Sequence, residues 1–162
     1  MGSGRLRRWT WVAFVAYLAL VARMTLRPEP ADEETFDVVR AVIGWLAARG
    51  APVTYDGVEA VSNVLMFVPF GVLAGLLVAR GRWWVVLAAG CATSVAIETA
   101  QRLFLPTRVP TAQDVVLNTA GTAVGLVLLA AGLRWWSARA ARSASTTAGT
   151  RAPVGASGAD AG

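Results

Sequence analysis

The sequence has no histidine and no lysine, and its one cysteine is Cys91. Without histidine the chain lacks the commonest general base and the commonest transition-metal ligand. A lone cysteine cannot close an intramolecular disulfide, and there is no CxxC pair for redox or zinc chemistry. Charge is scarce as well. Only 15% of the 162 residues are charged, where a soluble domain carries about a quarter. The formal charge is +5 and comes entirely from arginine. Those arginines sit at the ends of apolar blocks and not on a soluble basic module, which argues against nucleic acid as a partner.

What fills the chain is apolar. Hydrophobic residues make up 56% of it, the mean hydropathy is +0.53, and the apolar residues come in four long blocks. These are Trp9–Leu26, Val61–Ala79, Trp83–Gln101 and Val115–Leu133. Each approaches the roughly 20 residues that cross the hydrocarbon of a bilayer as a helix. The expected fold is therefore an all-α membrane protein with four transmembrane helices, spanning 9–26, 61–79, 83–101 and 115–133. A basic N-terminus (1–8) precedes this domain (9–133), and a tail (134–162) follows it. The tail is Ala, Ser, Thr and Gly with scattered Arg, and its composition reads as disorder. The first block follows "RLRR" but has no small-x-small cleavage site behind it, so it reads as an uncleaved signal anchor.

Between the first two blocks lies an acidic segment. Phe36, Val39, Ile43 and Leu46 repeat on one helical face, Asp32–Glu34 suit a helix start, and Gly50 with Pro52 suits its end. The spacing predicts an amphipathic helix over Glu33–Arg49, lying on the outer membrane surface or packed on top of the bundle. Arginine placement sets the expected orientation. Arg5, Arg7, Arg8, Arg80, Arg82, Arg134, Arg139, Arg142 and Arg151 mark one side, where Trp9, Trp11, Trp83, Trp84, Trp135 and Trp136 also gather. Seven acids within Arg27–Ala60 mark the other. Both termini are thus expected to be cytoplasmic, in a multi-pass protein of the plasma membrane.

The stretch "IETAQRLFLPTRVPTAQDVVLNTAG", Ile97 to Gly121, places polar groups where they are costly. Glu98 and Gln101 share a face at the outer end of the third block; Asp114 and Asn118 share one at the outer end of the fourth. Asn63 opens the second block on the same side, and Arg108 occupies the turn above. These six residues suit two uses. They form an inter-helix polar clamp, or they form a ligand site. Cys91, Thr93 and Ser94 read as packing residues and not as nucleophiles. Gly71 and Gly75 make one GxxxG; Gly121 and Gly125 make another. Such faces serve close helix packing or a homo-oligomer contact. Pro69 removes a backbone donor within the second block.

"NVLMFVPFG" (63–71), "SVAIETAQ" (94–101), Arg108 and "DVVLNTAGTAVG" (114–125), in that order and spacing, resemble the VanZ-like membrane proteins. The resemblance covers about Ser62–Leu133; the first block matches by hydropathy only. It implies a small polytopic membrane protein of the cell envelope. It also implies a link to teicoplanin, a lipoglycopeptide directed at cell-wall precursors, because the founding member of the family is associated with low-level resistance to it.

Three functional readings follow. In the first, Asn63, Glu98, Gln101, Arg108, Asp114 and Asn118 line an outward pocket that binds an amphiphilic glycopeptide or a lipid-linked wall precursor. In the second, Glu98 and Asp114 are an acid/base pair acting on a lipid-linked headgroup. In the third, the chain is a structural partner of another membrane protein. The absence of a nucleophile and of a metal-ligand set favours binding over catalysis. No cofactor and no metal are expected.

Overall fold

A computed structural model describes residues 3–26, 44–45, 48–49, 54–79, 81–105 and 111–149. They fall into two compact units, Met1–Leu129 and Ala130–Gly162. The described secondary structure is helical: α1 (Ser3–Thr25), α2 (Tyr55–Leu77), α3 (Trp83–Phe104) and α4 (Ala112–Gly149). Most of the expected amphipathic segment Glu33–Arg49 lies outside the described residues, as does Arg108. Within that segment the Arg49 guanidinium stacks 3.5 Å above the Trp45 ring.

Three helices are long and apolar enough to cross a membrane, over Asp56–Leu77, Trp83–Phe104 and Ala112–Ser143. The first block forms α1 as expected, but α1 is not one of these three. Thr10, Tyr17, Arg23 and two tryptophans dilute its apolar run. Helix α4 differs from expectation in length. It does not stop at Leu133 but continues to Gly149. The tail lacks apolar periodicity, and its composition alone reads as disorder. Alanine and arginine are nonetheless strong helix formers, and no glycine or proline interrupts Leu133–Ala148.

Local chemistry sets the helix ends. The Thr54 hydroxyl accepts the Gly57 amide at 3.1 Å and caps α2, with Asp56 in the first turn favoured by the helix dipole. Gly81 turns the chain from α2 into α3 at φ +91°, a left-handed conformation that glycine adopts without steric cost. Helix α2 runs continuously through Pro69.

In the first unit the large side chains are mostly outside. Leu65, Leu76, Val95, Leu103, Phe104, Val116, Val127 and Leu128 are exposed, and only 17% to 22% of each apolar span is buried. The buried set mixes Phe67, Phe70, Ala74 and Val86 with Ser94, Gln101, Asn118 and Thr122. Apolar surface facing out and hydrogen-bonded polar groups facing in is the arrangement that suits lipid as the solvent. Helix α1 adds Phe14 and Tyr17 to the core. Phe14 meets Phe70 edge-on at 5.3 Å, and the Tyr17 hydroxyl donates to the Met66 carbonyl at 2.6 Å.

The closest packing is between α2 and α4, where the two GxxxG faces meet. A Cβ on Gly121 would stand 2.1 Å from the Val64 carbonyl oxygen, and one on Gly125 would stand 2.2 Å from that of Val68. A Cβ on Gly71 would stand 2.2 Å from the Thr122 carbonyl oxygen. Each glycine therefore aims a Cα hydrogen at a carbonyl of the facing helix, a weak bond that recurs where helix backbones touch. Gly90 of α3 makes the same allowance for the Thr122 side chain, 2.5 Å from where its Cβ would be.

Candidate functional site

Close packing of α4 brings the polar residues of the sequence together in specific pairs. Thr111 and Asp114 start α4 with a reciprocal cap. The Thr111 amide donates to Asp114 Oδ2 at 3.3 Å, the Asp114 amide donates back to Thr111 Oγ1 at 3.3 Å, and the Thr111 hydroxyl also donates to Oδ2 at 2.8 Å. This is a capping box with aspartate in place of glutamate. The other carboxylate oxygen, Oδ1, accepts the Asn63 amide of α2 at 2.5 Å. Asp114 thus fixes the helix start and ties α4 to α2 through charge-assisted bonds.

Gln101 and Asn118 also point into the bundle. Gln101 Nε2 donates to the Thr25 carbonyl at 3.0 Å, satisfying one of the carbonyls left open where α1 ends. Thr25 is itself buried, and its hydroxyl donates to Val21 O at 2.8 Å. Asn118 Nδ2 donates to Ser94 Oγ of α3 at 2.8 Å, and the Thr122 hydroxyl donates to the Asn118 carbonyl at 3.1 Å. These bonds place the ends of α1 and α3 and the starts of α2 and α4 at one end of the bundle. Four of the six singled-out groups take part in three bonds between different helix pairs: Asp114 with Asn63, Gln101 with Thr25, and Asn118 with Ser94.

Glu98 is placed differently. It lines an open groove of about 340 Å³ between the end of α3 and the start of α4, with Val95, Thr99, Arg102, Leu103, Thr111, Ala112 and Val115. Glu98 and Arg102 are one turn apart on α3, the spacing at which opposite charges sit side by side. Thr99 and Thr111 add hydroxyls, although the Thr99 hydroxyl donates to Val95 O at 2.7 Å. Val95, Leu103, Ala112 and Val115 give the groove apolar walls. The arrangement suits an amphiphile, with charge of both signs for a polar head and an apolar surface beside it for a tail. Among the described residues no three acidic or cysteine side chains converge as metal ligands.

Sequence reasoning missed Arg102, Thr111, Thr25 and Gly90. Two of them had a local signal: Arg102 follows Glu98 by four, and Thr111 precedes Asp114 by three. Thr25 and Gly90 had none, because their roles depend on which helix lies opposite.

The clamp gives a direct prediction. Asp114→Ala removes the cap and leaves the half-buried Asn63 amide without this acceptor, at a cost of about 1–3 kcal/mol. Thermal denaturation of the purified protein in detergent should show the lower midpoint, with Thr111→Ala falling by less because it leaves the Asn63 bond intact. Equal midpoints for Asp114→Ala and the parent would contradict the assignment.

The family model of VanZ/LLP1 matches residues 14–134. No curated protein and no solved structure matches the chain. The match covers most of the sequence and the whole of the groove and the clamp, and the chain belongs to the VanZ/LLP1 family.

Proposed function

We propose that this VanZ/LLP1 membrane protein binds the polar head of an amphiphile in the groove between α3 and α4. The amphiphile is a lipoglycopeptide of the teicoplanin kind or a lipid-linked wall precursor, and the protein acts in the cell envelope. The observation that carries this reading is that Glu98 and Arg102, one turn apart on α3, line the same groove among apolar walls. Asn63, Gln101, Asp114 and Asn118 serve the groove as its frame. Asp114 uses both carboxylate oxygens on Asn63 and Thr111, which supports binding over an acid/base pair with Glu98. Both GxxxG faces are engaged between α2 and α4, so an oligomer formed through them would have to open that contact.

In this reading α1 is the fourth span, the segment Glu33–Arg49 lies on the outer surface, and both termini are cytoplasmic. Arginine and tryptophan placement supports that orientation. Reporter fusions after Arg82 and after Gly162 should read inside, and a fusion at Ala51 outside. An outside signal at Gly162 would overturn the four-span arrangement.

The functional reading is tested with a deletion strain exposed to lipidated and non-lipidated wall-active compounds. Deletion should change susceptibility to the lipidated compounds selectively. A uniform change across both classes, or none, would count against an amphiphile site.

A further inference from the structure

The second unit carries a feature that the groove does not use. Within Ala130–Gly149 the helix presents Trp135, Arg139 and Arg142 at intervals of four and three, on one side. Trp135 is 55% exposed, and the Arg139 guanidinium lies 4.7 Å from the centre of its ring. Together with Ser143 these side chains line one recess. The Ser143 hydroxyl donates to the Arg139 carbonyl at 3.1 Å, and Arg142 Nε donates to Ala138 O at 3.4 Å.

The chemistry of this face selects a partner. Between Asp114 and Asp160 the sequence has no acid, so every charged side chain on this stretch is an arginine. A guanidinium stacked on an indole still offers its in-plane N–H donors at the edge, where a phosphodiester can take two of them. Tryptophan settles at the level of lipid headgroups, and the apolar span Ala112–Ser143 ends at this same face. A zwitterionic headgroup would bring an ammonium that finds no carboxylate on this stretch and two arginines on the face. A headgroup ending in a neutral alcohol avoids that penalty.

We infer that the Trp135–Arg139–Arg142–Ser143 face binds the phosphodiester of an anionic phospholipid. The site is separate from the groove and does not depend on what the groove binds.

The test uses the full-length protein, purified in detergent and equilibrated with phosphatidylglycerol or phosphatidylcholine, with retained lipid counted by native mass spectrometry. The parent should retain phosphatidylglycerol in preference. Arg139→Gln combined with Arg142→Gln should reduce that preference about 25-fold, from roughly fivefold per arginine near an anionic surface. Both residues are exposed, so the rest of the fold is left unchanged. Arg134→Gln removes the same charge from another side of the helix and should reduce the preference less than Arg139→Gln alone. Equal retention of the two lipids by the parent, a preference that survives in the double variant, or equal losses for Arg134→Gln and Arg139→Gln would each overturn the assignment.

Discussion

Gly121→Leu should remove the folded protein from the membrane. The Cβ of any other residue at this position would stand 2.1 Å from the Val64 carbonyl oxygen and 3.0 Å from Phe67 Cβ. The nearer of these atoms belongs to the α2 backbone, so no rotamer change relieves the clash. The helices must separate, which costs more than the 1–3 kcal/mol or so of an ordinary overpacked core. Separation also lengthens the Asn63–Asp114 bond and opens the glycine contacts at Gly71 and Gly125, so the loss spreads along the α2–α4 interface. Gly121→Ala should already lower the denaturation midpoint in detergent, and Gly121→Leu should leave little protein to measure. Gly132→Leu is the control, since a Cβ there meets nothing within 4 Å. Normal abundance of Gly121→Leu would contradict the packing of α4 on α2.

That contact shows which parts of the structure can be read in the sequence. Hydropathy placed the last three spans on the observed helices, because a bilayer requires a continuous apolar run, but it ended the last at Leu133 where α4 continues to Gly149. It set the starts of α2 and α4 three to six residues late, at Val61 and Val115, where the helices begin at Tyr55 and Ala112. Their first turns are polar and are held by the Thr54 and Thr111 caps, which an apolar count passes over. Spacing correctly put Asp114 and Asn118 on one face, but it did not show what they face. Asp114 meets α2 and Asn118 meets α3, because α4 touches both helices through glycines and a threonine. Periodicity along one helix does not contain that information. The same limit explains why six residues were grouped as one pocket. Gln101, Asn63, Asp114 and Asn118 bond to neighbouring helices, while Glu98, on the same stripe of α3 as Ser94 and Gln101, lines the groove with its Oε2 oxygen buried.

Glu98→Gln should abolish function and leave the fold intact. The substitution keeps side-chain size and a hydrogen-bonding end and removes the charge that the groove presents beside Arg102. Loss of one charged hydrogen-bond partner weakens binding of a polar head by about 1.5–3 kcal/mol, roughly ten- to hundred-fold. Helix α4 is held by Asp114, Asn118 and the glycines, none of which the substitution changes. Gln101→Ala should behave in the opposite way. It strands the Thr25 carbonyl and lowers stability while leaving the charges of the groove in place.

The central claim, that the polar residues divide into an inter-helix frame and a groove site at Glu98, rests most directly on one comparison. It is the susceptibility to lipidated wall-active compounds of a deletion strain complemented with Glu98→Gln, read against the membrane abundance of the variant. The account predicts the deletion phenotype at parental abundance. Parental susceptibility at parental abundance would contradict it and leave Glu98 as part of the frame.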